Sequence, residues 1–342
     1  ATNNFGGAVS IVTGNNVTLR DSNALDLGNA AVSGELDVTL TAGELTDSGT
    51  VVVTVLTDLN TTGQNVTLDS AANDFNTIEV DAADVSIVDV DDIDIGNSTI
   101  TGTLGPTAGG TVTDAAGTSF RVDGNSTITA TGSNIVLNDS PDFDGAESSF
   151  TGADLTIDSD PDTLNLQTVS ATGDVVINSA DDLTVNAAGS FTASGSLAMT
   201  VGAAGELLWD GPGTVGNGAT LVATVRDVEF SGALTVTNGN AVVTAGDAVD
   251  FESTPGVGGL LSVTNGNATL TGDDIYGEDL KATVDVEAEI ITLVGTSGIG
   301  VSTAAFADRL QIEARTRLDA TTTNSDAQIE NVGGTLVIGL ID

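Results

Sequence analysis

The chain has 342 residues, 49 of them acidic and 7 basic, for a formal net charge of -42, and it contains no His and no Cys. Without imidazole or thiol there is no Ser-His or Cys-His nucleophile and no ordinary zinc or haem site, and so few cations cannot track a row of phosphates on nucleic acid or anionic lipid. Forty per cent apolar residues against 16% charged still supply a core, so the chain is expected to fold.

Along the chain, short segments alternate apolar with polar, the period-2 pattern of strands with one row inside and one outside. Ala8 to Val12, Asn16 to Leu19, Glu35 to Leu40, Asp174 to Ile177 and Leu183 to Val185 all read this way. Thr-Gly, Asn-Gly and Gly-Gly pairs separate them, and these corners are expected to use glycine and Asn for positive-φ turns. The single window with any helical spacing, Thr303 to Arg317, contains the alternating Leu310-Gln311-Ile312-Glu313-Ala314 and is also expected to be strand. The chain opens on Ala1-Thr2-Asn3 with no basic leader or apolar stretch, and no window approaches the roughly 18 apolar residues of a membrane span. A mature, excised or windowed chain that does not insert in a membrane is therefore expected. The absence of Cys leaves the redox compartment open.

Self-comparison carries more information than any single motif. An aromatic mark recurs almost evenly at Phe5, Phe75, Phe143 (in Pro141-Asp142-Phe143-Asp144-Gly145), Trp209 and Tyr276. Leu25 to Gly34 aligns with Ile93 to Gly102 and with Leu164 to Gly173, and Asn65-Val66-Thr67-Leu68 matches Asn134-Ile135-Val136-Leu137. A shorter echo relates Thr235 to Asn240 with Ser262 to Asn267. A period of about 68 residues that divides into three turns of roughly 22 residues predicts an all-β, right-handed parallel β-helix of about fifteen coils. The predicted super-repeats run over 1-70, 71-138, 139-204, 205-271 and 272-342 of one continuous solenoid. Five tandem immunoglobulin-like sandwiches are the weaker reading, since each period is short for a sandwich of roughly 100 residues.

The aromatic mark, Gly6-Gly7-Ala8-Val9-Ser10 and the Leu25-Asp26-Leu27-Gly28-Asn29 strand resemble the β-strand repeats of giant bacterial surface and secreted proteins, the filamentous-haemagglutinin-like adhesins. The resemblance is clearest over residues 3 to 173. It implies a right-handed parallel β-helix acting as a stalk, adhesive rod or matrix fibre, with no catalytic residues to transfer.

Such a solenoid would be a rod on the order of 70 Å long, with one net negative charge about every 1.7 Å of axis, comparable to duplex DNA. It is expected to condense cations and to bundle in a salt-dependent way, a property suited to a saline setting. Its two ends would be open β edges. The apolar stretch Leu336, Val337, Ile338, Leu340 and Ile341 either continues into a longer polypeptide or docks on Val9 and Ile11 of another copy, and both give a fibre.

Candidate sites are few. Asp81, Asp84, Asp89, Asp91, Asp92 and Asp94 form the densest acidic run. Clustered oxygen ligands suit Ca²⁺, with Asp89, Asp91, Asp92 and Asp94 as the candidate ligands, but alternating Val85, Ile87, Val90, Ile93 and Ile95 favour a solvated outward row. No other cofactor is expected. The pairs Asp142 with Asp144 and Asp158 with Asp160 fit glycosidase chemistry no better than chance among 49 acids, so no enzyme is expected. The aromatic marks read as core plugs once per three coils. Arg309, Arg315 and Arg317 are expected to pair within their own coil, or else with a neighbouring subunit. Threonine pairs such as Thr127 with Thr129 and Thr235 with Thr237 resemble the flat faces of ice-binding solenoids, yet do not recur at the coil period. Asn-x-Ser/Thr sequons at Asn16, Asn60, Asn65, Asn97, Asn125, Asn138 and Asn267 are expected by chance.

The expected role is structural: an extracellular or cell-surface fibre segment whose partners are other copies or flanking repeats, without nucleic acid. An adhesin stalk presenting a glycan- or receptor-binding surface is the alternative.

Overall fold

The computed structural model describes residues 3–61, 63–118, 120–139, 141–144, 147–159, 163–202, 205–254, 257–277, 284–300, 309–323, 326–333 and 336–341. Gly145, Asp160, Lys281, residues 303–308, Gly334, Thr335 and Asp342, on which parts of the sequence reading rest, lie outside these. The described residues are strands and turns without a helix, and they wind as a parallel β-solenoid of about fourteen turns in all. Two compact units divide the chain, Ala1–Asp162 and Thr163–Asp342.

In the first unit, strand Val17–Asp21 lies parallel to Glu35–Leu40, with Val17 opposite Leu36 and Leu19 opposite Val38. Val38 in turn faces Leu59, and Leu59 faces Val80. In the second unit Val175 faces Leu197, Leu197 faces Ala219, Ala219 faces Ala241 and Ala241 faces Ala268. The turns are unequal in length: the step from Val17 to Leu36 is much shorter than the step from Ala241 to Ala268. Because every second side chain points inward, each turn adds its apolar residues to a stacked row, and Leu36, Val38, Leu59, Ile177, Met199 and Leu221 are fully buried. Each such side chain removed from water stabilises the fold by about 1.5–3 kcal/mol, while the ladder pairs the backbone N–H and C=O groups.

The super-repeat is legible in burial. Leu25, Leu27, Ala30 and Val32 point inward, as do Ile93, Ile95, Ser98 and Ile100, and again Leu164, Leu166, Val169 and Ala171. The inward row skips one residue at the same place in all three segments, which is where the chain turns a corner. The shorter echo is a single turn: Thr235 faces Ser262, Val236 faces Val263 and Asn238 faces Asn265. That turn is longer than its neighbours because it carries the antiparallel pair Ser253–Thr254 and Val257–Gly258. Leu310–Thr322 is strand, as its alternation predicts.

Three expectations change. Among the described glycines, positive φ occurs at Gly43, Gly63, Gly117, Gly132, Gly218, Gly239 and Gly300; most other corner glycines are needed for close approach between turns, not for backbone conformation. The aromatic mark does not recur once per three coils: Trp209, Phe230 and Phe251 occupy one inward position in three consecutive turns. Phe230 and Phe251 stack at 5.0 Å between centroids. Tyr276 is also not equivalent to Trp209, for Phe251 faces Gly277 and Tyr276 faces the outward Asp250. A one-residue slip exchanges the two faces of a strand, and it places the Tyr276 ring outside.

Candidate functional site

The corners explain much of the polar sequence. A side-chain oxygen of Asp or Asn on one turn accepts the backbone N–H at the same corner of the next turn. Asn65 Oδ1 accepts from Asp84 N at 3.2 Å, and Asp84 Oδ1 accepts from Thr103 N at 2.9 Å. Asn134 Oδ1 accepts from Asp154 N at 3.0 Å, Asp92 Oδ1 from Thr111 N at 2.6 Å, and Asp174 Oδ1 from Ser196 N at 2.7 Å. The two donations from Ser196 hold the Asp174 carboxyl below its ordinary value. The residue before each donor is often glycine, because a Cβ on Gly102, Gly110 or Gly195 would collide with the accepting oxygen of Asp84, Asp92 or Asp174. Three of the sequon asparagines, Asn16, Asn65 and Asn125, serve this role through Oδ1.

Three of the four candidate calcium ligands, Asp89, Asp92 and Asp94, accept hydrogen bonds through their carboxylates, and Asp91 takes part through its backbone N–H. Asp89 is 3% exposed, its Oδ2 accepting from Phe75 N at 2.6 Å and its Oδ1 from Asp91 N at 2.9 Å. Burial pushes its carboxyl up to about 6 against the pull of those two N–H groups. Asp92 caps Thr111, and Asp94 Oδ1 accepts from Thr113 Oγ1 at 2.8 Å. Among the described residues no three such ligands converge on a metal-sized space. The outward-row reading needs correction here as well. The strand Val85–Asp89 keeps its alternation through Asp89, so Asp89 points inward and Val90 stands half exposed. Asp21 holds the equivalent place one super-repeat earlier, accepting from Phe5 N at 3.0 Å.

An open groove of about 900 Å³ lies on an outward sheet face of the first unit. Asp37, Asp58 and Glu79 line it from successive turns in direct register. Burial, then Asp37 and Glu79, raise the Asp58 carboxyl above its ordinary value. Arg20 lies 3.7 Å from Asp37, and Arg121 pairs with Asp123, Asp142 and Asp144. The Asp142 and Asp144 pair is therefore bridged by one guanidinium.

In the second unit Glu229 lies among Glu252, Asp210 and Glu206, and burial first, then these neighbours, push its carboxyl up to about 7. Of the three arginines near the C-terminal side, Arg317 pairs within its own turn, with Asp319 at 2.6 Å, whereas Arg309 and Arg315 reach adjacent turns, to Glu330 at 3.7 Å and Glu287 at 2.6 Å, because the ladder sets those carboxylates beside them.

The proposed docking residues are accessible. Strand Ile338–Ile341 pairs with Leu318–Ala320, and Val337, Ile338, Leu340 and Ile341 are each more than half exposed. Leu336, Val9 and Ile11 are half-buried. Sequence reasoning missed the corner acceptors altogether; their signal was an Asp or Asn followed one turn later by Gly, as in Asp84 with Gly102 and Asp174 with Gly195.

Among the described residues no helix is long and apolar enough to cross a membrane. No curated protein and no solved structure matches the chain. Residues 14–80 and 82–149 each match a family model described as repeats of unknown function (DUF5649), and the step from the start of one match to the start of the next is the super-repeat read from the aromatic marks.

Proposed function

We propose that the chain is structural: a segment of an extracellular or cell-surface β-solenoid fibre, working through shape, stiffness and charge, with no catalytic centre. Its partners on this reading are further solenoid turns, supplied by flanking repeats of the same polypeptide or by other copies. One observation carries it: the polar residues that would have to form a site are instead spent on joining one turn to the next, as Asp84, Asp89, Asp92 and Asp174 do. The likeness to giant surface adhesins over residues 3 to 173 supports a location outside the cell. So does the charge of -42, which opposes nucleic acid and anionic membrane. The exposed, uncharged Val337 to Ile341 segment suits contact with another turn. Cations condensed along the carboxylate rows need no coordination site.

Electron microscopy of the purified chain with increasing salt tests this. Filaments with an axial step set by the chain, lost in an Ile338→Lys, Leu340→Lys variant, are the expected result for copies stacked end to end. Rods of constant length at all salt concentrations place the continuation within one polypeptide. Discrete rods that attach to a glycan or receptor through one face would replace the fibre by an adhesin.

A further inference from the structure

One sheet face of the second unit carries two uncharged outward rows across five successive turns. Its first outward row runs through Ala198, Thr220, Val242, Thr269 and Thr292, each directly opposite the next. The second row, two residues further along each strand, runs through Thr200, Val222, Thr244, Thr271 and Val294. The ladder has no register shift within these stretches, so the rows are straight. Between them Met199, Leu221, Val243, Leu270 and Leu293 are anchored in the core at 0–1% exposure, which holds the face rigid.

None of the ten positions is charged or aromatic, in a chain of net charge -42. The contrast lies within the same unit: the outward row Leu208, Glu229, Asp250, Tyr276 on another face carries two acids and a ring. Every one of the five turns offers at least one threonine, paired with Ala, Val or Thr. The threonines thus recur at the turn spacing even though the turns differ in length, as the steps from Ala198 to Thr220 and from Val242 to Thr269 show.

We propose that this face binds ice. Adjacent turns lie ~4.8 Å apart and alternate residues of a strand ~7 Å apart, so hydroxyls and methyls form a fixed two-dimensional array. The hydroxyls hold waters at set positions by hydrogen bonds, and the methyls restrict the orientation of the waters between them, leaving those to bond to one another. A charged side chain would impose a hydration shell of its own; none stands at these ten positions, and the first row ends where Asp319 follows Thr292 on the next turn. Other occupants fit less well. A glycan surface is gripped by aromatic rings, which the face lacks. A second copy seated face to face would bury only on the order of 600 Å² in total, against about 1,200–2,000 Å² for a stable interface.

The test is thermal hysteresis and inhibition of ice recrystallisation by the purified chain. Both are expected at micromolar concentration, with a loss of tenfold or more in Thr220→Lys, Thr269→Lys and no loss in Thr192→Lys, which alters a different face. Circular dichroism establishes that each variant is folded. Should the double variant not fold, Val242→Lys at the centre of the face carries the same comparison. Absence of hysteresis in the unmodified chain, or hysteresis unchanged in the folded lysine variants, overturns the proposal. So does self-association or adhesion to crystalline cellulose that the lysine variants abolish, if no effect on ice accompanies it. The fibre reading stands or falls separately, since it rests on turn edges and not on this face.

Discussion

Glu229 shows how a single side chain senses the crowding of acids on this surface. Its carboxyl is half-buried and faces Glu252, Asp210 and Glu206, and the nearby Arg226 is engaged by Glu206 at 2.9 Å. Its value rises from 4.5 to about 7, with burial as the first cause. The folded state therefore holds this proton more tightly than the unfolded state does. The associated stability is fully present below about 4.5 and is lost as pH rises through about 7. Glu229→Gln is expected to raise stability at pH 8 and to flatten the decline between pH 5 and pH 8. Urea titrations of both proteins at the two pH values check it, and parallel declines would count against this assignment. Asp89 follows the same sign with its loss centred near 6, but two backbone N–H groups depend on its oxygens, so its replacement has a structural cost that Glu229→Gln avoids. Gly102 illustrates the opposite kind of residue, conspicuous in sequence only as a turn former. Its value lies in what it lacks, since Asp84 Oδ1 occupies the place of a Cβ.

At the scale of the strand, alternation predicted most elements. The signal is local, because inward and outward positions differ in chemistry at every second residue. Val17–Asp21, Glu35–Leu40, Val175–Ser179 and Leu310–Thr322 are strands where alternation placed them. Packing between strands was less legible. Trp209, Phe230 and Phe251 form one inward aromatic column, although self-comparison of the sequence marks only Trp209. Phe230 is fully buried between the other two and cannot be replaced by neighbours held in the ladder above and below. Phe230→Ala is expected to cost about 3–5 kcal/mol, measurable as a shift in the denaturation midpoint. A cost under about 1 kcal/mol would mean that the column collapses freely onto the vacancy.

At the scale of the molecule, charge dominates. Carboxylates from successive turns stand in register, as Asp37, Asp58 and Glu79 do, at the ~4.8 Å separation of strands. The screening length falls from ~30 Å at 0.01 M salt to ~10 Å at 0.1 M and ~3 Å at 1 M, so repulsion along such rows weakens only when salt is high. The melting temperature is expected to climb by several degrees between 0.01 and 1 M NaCl. Calorimetry across that range decides it, and a flat response would show that the acids are already neutralised by the hydrogen bonds they accept.

The amino-acid sequence by itself determined the strand content, the super-repeat period and the exclusion of imidazole and thiol chemistry, because these depend on residue type and local period. Tertiary structure decided which residues meet. Partners in the ladder are separated by turns of unequal length, short from Val17 to Leu36 and long from Ala241 to Ala268, so no fixed spacing identifies them, and a slip of one residue exchanges the faces of a strand. That is why Asp89 is inside and Val90 outside, why Tyr276 lies away from the aromatic column, and why threonines irregular in sequence align in straight rows.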